Sequence, residues 1–209
     1  KVAIWACCSS LPFGIIFGLI LARSNFYGKA ILNGIIHLPL VLPPVVVGYI
    51  LLISFGREGF IGSILFDYFN ISFSFKWTGA ALACAVMGFP LLVRSIRLSV
   101  EMIDPKIEQA AMSLGAKPIY VFFLITFPLM LPGILVGFTL SFARALGEFG
   151  ATITFVSNIP GETQTLSSAI YSFLQIPNGE AYALRLTIIS IFLSMSALIL
   201  SEIIFKFIR

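Results

Sequence analysis

Five long, predominantly apolar runs divide this chain: residues 2–22, about 31–56, 77–96, about 127–156 and 183–205. Crossing ~30 Å of hydrocarbon takes about 20 apolar residues of helix, so each run is long enough to span a bilayer. Backbone N–H and C=O groups in lipid must be satisfied within helices or a closed barrel. The alternating strands of a membrane barrel, about ten residues each, have no counterpart here, which leaves helices. With 59% hydrophobic and only 11% charged residues, and a mean hydropathy of +1.05, the chain has too little polar surface for a water-soluble core. It is read as one all-α, polytopic membrane bundle over residues 1–209 with about five spans and no soluble domain. The first run is too long for a signal-peptide core, and Ile20, Leu21 and Ala22 make a poor cleavage site. Because the chain opens at Lys1 with almost no polar leader, upstream residues, and even an upstream span, remain open.

Short loops rich in lysine and arginine stay in the cytoplasm. If five spans alternate, Arg23, Lys29, Arg94, Arg97, Lys106, Lys117, Lys206 and Arg209 fall on one side. That side is expected to be cytoplasmic, C-terminus included, with the N-terminus outside. The opposite loops hold Lys1, Arg57 and Lys76, and 157–182 has two glutamates and no lysine or arginine. This asymmetry accounts for the net charge of +4 without a nucleic-acid partner. Cys7, Cys8 and Cys84 all lie in expected spans and read as small apolar packing residues rather than disulfide or metal ligands. The first external connector is rich in aromatic rings, suited to the membrane interface. The second brackets a mildly amphipathic core that could lie on the outer face as a short helix.

Two features interrupt the spans. HLPLVLPPVVVGY places Pro39, Pro43 and Pro44 within one run, where each removes a backbone donor and clashes with the preceding turn. A kinked or broken span follows; it either lines a pathway, where freed carbonyls are tolerated, or only improves packing. His37, the single histidine, reads as a satisfied or interfacial residue rather than a proton relay. SFARALGEFGATITF places Arg144 and Glu148 in the outer half of the fourth run. An isolated charge there costs at least ~3 kcal/mol, so each needs a partner in the bundle or in an interface. The two could pair at i,i+4, although arginine before glutamate is the less favourable order. Gly147 and Gly150 permit close approach of another backbone, or a local break. A fixed carboxylate would offset the arginine toward a passing anion, which favours a structural or gating ion pair over an anion ligand. Thr152 and Thr154 are weaker candidates for passing contacts.

The loop at about 99–126 is more than a connector. Asp104 and Pro105 form a helix start, Gly115 a helix stop, and the chain restarts at Pro118 and re-enters the membrane through Pro128 and Pro132. Ala110 and Ala111, with Gly115, offer a small-residue surface for docking, although alanine pairs are also common in any helix.

Gln109, Ala110, Ala111, Gly115, Ile125 and Pro128 resemble, at matching spacing, the cytoplasmic coupling motif of ABC-importer permeases, in which Glu-Ala-Ala, three residues, Gly, nine residues, Ile, any residue, Leu-Pro is typical. Gln109 stands where the first glutamate is usual, with Glu108 one place earlier, and Phe127 replaces the leucine; the resemblance implies that Glu108 and these six residues couple the chain to an ATPase. LPFGIIFGLILAR, HLPLVLPPVVVGY, GFPLLVRSIRL and RALGEFGATITFVSNIPGET extend the resemblance over essentially the whole chain and narrow it to molybdate permease subunits. Sulfate permeases are similar around Arg144 to Glu148 and differ beyond, so the anion rests mainly on residues 147–162; molybdate and tungstate are indistinguishable at this level.

The resemblance implies a type I importer permease fold with short cytoplasmic coupling helices, in a bacterial or archaeal inner membrane. It implies two copies of this chain around a path through membrane lipid, a cytosolic ABC ATPase subunit that uses ATP and Mg, and an extracytoplasmic molybdate-binding protein. No cofactor is expected on this chain itself, which lacks a Gly-x-x-x-x-Gly-Lys-Ser/Thr loop. Two rivals are weighed. An intramembrane enzyme would need a nucleophile with its base or paired catalytic carboxylates, which one histidine and no Gly-x-Ser-x-Gly element do not supply. A proton-coupled carrier or channel could use Arg144 and Glu148 but has no use for a docking motif.

Overall fold

The central run forms α5 (Trp77–Glu101), and two other spans pack along it. The computed structural model describes residues 1–208; Arg209, counted above among the basic C-terminal residues, lies outside the described residues. Helix α1 (Val2–Arg23) runs parallel to α5. Trp5 meets Trp77 at one end (6.2 Å between centroids), and Arg23 reaches the carbonyl of Ile103 at the other. Lipid supplies no hydrophobic drive between spans, so they associate where small residues allow close packing. Gly14 faces Leu92 and Gly18 faces Ile96; a Cβ on Gly18 would lie 2.7 Å from Ile96 Cγ2. The third partner repeats the device in the opposite direction. Gly133 sits against Ser99, Gly137 against Leu92 and Ser95, and Ser141 against Gly88. Both glycine pairs are four residues apart, a sequence signal for these two interfaces.

That partner is a continuous helical span, Pro118–Leu146. It is built from α7 (Pro118–Val121), a π turn (Phe122–Thr126) and α8 (Phe127–Leu146). The π turn explains how Pro128 is accommodated near the start of α8: Phe127 donates its N–H to the Phe122 carbonyl five residues back, and the ladder re-forms beyond a proline that has no N–H to give. The fourth expected span thus begins earlier than 127 and stops at Leu146, where Gly147 ends the helix; the apolar continuation forms a separate short helix, α9 (Gly150–Val156).

The second expected span is two helices, α2 (Lys29–Val41) and α3 (Pro44–Phe55), bent by 115° at Leu42 and Pro43. Pro39 is absorbed within α2, Pro43 is extended, and Pro44 occupies the first turn of α3, where its missing donor costs nothing. Outside the spans lie α4 (Phe60–Phe69) and α10 (Leu166–Leu174), the latter the short helix expected in the second external connector. The chain continues in α11 (Glu180–Ile208), a mostly exposed helix tied to α8 through Thr139 and Ser201, whose hydroxyls lie 2.7 Å apart.

Candidate functional site

The two interrupted spans meet each other. Gly150, the first residue of α9, lies on Pro44, the first residue of α3; a Cβ there would be 2.7 Å from Pro44 Cβ. One turn on, Gly48 packs against the Ala151 carbonyl and Thr154. The two short helices therefore leave their breaks side by side, with Val47, Leu51, Ala151 and Phe155 forming a common apolar core with α5.

Glu148 sits in the break between α8 and α9 with no side-chain surface exposed. Its Oε1 accepts the Ala151 N–H at 2.8 Å, capping an otherwise unsatisfied donor at the start of α9. Its Oε2 lies 2.7 Å from Arg144 Nη1, an ion contact without the alignment of a hydrogen bond. The i,i+4 pairing that the spacing allows is therefore formed, and Glu148 also caps the helix where it restarts. Arg144 keeps 28% of its side-chain surface exposed, so the two charges are unequally sealed. The Leu146 carbonyl accepts from Ser167 Oγ at 3.0 Å, and the Tyr171 ring lies 5.0 Å from that of Phe149. Thus α10 covers the break from outside. The hydroxyls of Thr152 and Thr154 donate to the carbonyls of Phe149 and Gly150 (2.9 and 2.8 Å), which directs their protons into their own helix. His37 Nδ1 lies 2.8 Å from the Asn33 carbonyl and is satisfied locally.

The second candidate region lies at the opposite end of the bundle. Helix α6 (Pro105–Ser113) starts as its sequence requires, with the Asp104 side chain accepting the Lys106 N–H at 2.9 Å. It ends in a Schellman turn: the N–H of Gly115 bonds to Met112 and that of Ala116 to Ala111, with Gly115 at φ +90°. This conformation is the local reason for glycine at 115. No residue of α6 is buried; Gln109 and Ala110 are exposed, Ala111 is half-buried, and Leu114 is 90% exposed beside exposed Met112 and Ile107. Ile125 is half-buried in the π turn and Pro128 is exposed. Glu108 turns the other way, toward the bundle. Its Oε1 accepts from Arg23 Nη2 at 3.1 Å and from Thr126 Oγ1 at 2.7 Å. Sequence reading grouped Glu108 with the exposed docking residues; no local pattern linked it to Arg23 and Thr126, which are distant in the chain.

Broken spans that meet inside a helical membrane bundle, with a short, capped, exposed helix at one end, have the architecture of a polytopic permease. The chain belongs to the family of binding-protein-dependent transport system inner membrane components, whose family model matches residues 14–209. It is 62% identical over 202 residues to the "Molybdenum transport system permease protein ModB" of Escherichia coli (strain K12), covering 97% of this chain and 88% of that one. It is 38% identical over 208 residues to the "Probable sulfate transport system permease protein cysT" of Helicosporidium sp. subsp. Simulium jonesii, covering 98% and 75%. Its fold resembles a chain in a structure of the MetNI methionine ABC transporter in inward-facing conformations, with a TM-score of 0.72, 15% sequence identity, and 100% of this chain and 89% of that one covered.

Proposed function

We propose that this chain is the membrane-embedded permease subunit of an ATP-driven ABC importer and that, paired with a second copy of itself, it forms the path for molybdate delivered by an extracytoplasmic binding protein. The near full-length likeness to the bacterial molybdenum permease carries the anion assignment; the likeness to the sulfate permease is much weaker. The surface of α6 at exposed Gln109 and Ala110, with half-buried Ala111 beside them and Gly115 in the turn that follows, receives a cytosolic ABC ATPase, which binds and hydrolyses ATP with Mg. On this reading α6 and the C-terminus face the cytoplasm of a bacterial or archaeal cell. Closure of the ATPases moves α6 and the spans attached to it, and the paired breaks at Pro43–Pro44 and Gly147–Gly150 are where the bundle changes shape. The Arg144–Glu148 pair latches that junction in one of its states.

Expression in a bacterium lacking its own molybdenum permease, together with the cognate ATPase and binding protein, tests the anion. Molybdenum-enzyme activity at low external molybdate should return, and labelled molybdate uptake should be suppressed by excess tungstate but not by excess sulfate. Equal suppression by sulfate would move the assignment to sulfate.

A further inference from the structure

We infer that Glu108 is a positioning residue that transmits motion of α6 into the membrane, rather than part of the surface that meets the ATPase. The inference rests on the importer reading above. One carboxylate oxygen, Glu108 Oε1, holds two donors from two different spans: Arg23 Nη2 at the end of α1 and Thr126 Oγ1 in the π turn before α8. The same Arg23 nitrogen also reaches the carbonyl of Ile103 at 3.3 Å, so the loop joining α5 to α6 is tied into the same point. Two spans and α6 thus meet at one carboxylate, and the loop leaving α5 joins them through Arg23. Glu108 and Ala111 are the half-buried positions of an otherwise exposed helix, and they lie three residues apart on one face. That face looks toward the bundle while Gln109, Ala110 and Leu114 remain outside.

The environment of Thr126 supports this reading. Threonines within helices satisfy their hydroxyl on a carbonyl of the preceding turn, as Thr154 does on Gly150 and Thr187 on Ala183. Thr126, itself almost fully buried, gives its proton to Glu108 eighteen residues away. It does so at the last residue of the π turn, where the helix ladder is already loosened by the skipped carbonyl. A displacement of α6 is therefore carried through Glu108 to the base of α8, a continuous helix that ends at the Gly147 break. It reaches α1 through Arg23 at the same time.

The test uses the complete complex of permease, ATPase and binding protein in proteoliposomes, with ATP hydrolysis and molybdate uptake measured together. Glu108→Gln and the isosteric Thr126→Val should leave the ATPase bound and hydrolysing ATP, while uptake per ATP falls about tenfold. Thr126→Ser, which keeps the hydroxyl, should behave as the unaltered chain. Uptake per ATP unchanged in both Glu108→Gln and Thr126→Val would overturn the inference, as would release of the ATPase by Glu108→Gln. If the unaltered complex showed no ATP-driven uptake, the importer reading itself would fail, a result separable from either.

Discussion

Glu148→Gln is expected to destabilise the permease by about 3 kcal/mol and to stop transport, because removing one partner of a buried ion pair leaves the other charge uncompensated. Glutamine can still accept the Ala151 N–H, so the cap on α9 survives and the loss isolates the charge. The lower end of the usual cost applies because Arg144 is partly exposed and can draw on whatever polar surroundings lie beside it. Thermal unfolding of the detergent-solubilised protein, followed by uptake in vesicles, reads both effects. The double variant Arg144→Met with Glu148→Gln separates two roles. It removes both charges and should recover stability; a latch requires that transport stay lost, whereas recovered transport would make the pair a packing device only.

Ala110→Arg should leave the membrane bundle folded and weaken ATPase assembly by about 2 kcal/mol, roughly thirtyfold in affinity, the scale of a hot-spot residue in an interface. Ala110 is exposed on α6, so within this chain the new side chain has room. Gly115→Val should weaken assembly by another route. At φ +90° a β-branched residue is strained by about 1–2 kcal/mol, and relief of that strain would unravel the Schellman turn that orients α6 against α7. Co-purification of the ATPase with each variant checks both. Normal recovery of the ATPase with Ala110→Arg would remove α6 as its seat.

The spans were readable because bilayer thickness sets their length, and α1, α5 and α11 fall close to the expected runs. The end of the fourth span was not readable from apolarity, since hydrophobic residues continue from Phe149 to Val156 through the break; only Gly147 and Gly150 hinted at it. The Arg144–Glu148 pair follows from four-residue spacing, but the cap on Ala151 depends on a helix restart that spacing does not encode. Likewise, Asp104, Pro105 and Gly115 mark the bounds of α6 by local chemistry. The inward turn of Glu108 depends on Arg23, 85 residues away, and is a property of packing. The contact of Pro44 with Gly150 is of the same kind: each break was visible alone, and their meeting was not.

The most direct measurement of the central claim is molybdate uptake into proteoliposomes that contain the purified chain, with the ATPase, the binding protein and ATP each omitted in turn. Uptake is expected only when all are present, at a rate that follows ATP hydrolysis. Uptake at the same rate by the chain alone, or without ATP, would contradict that claim.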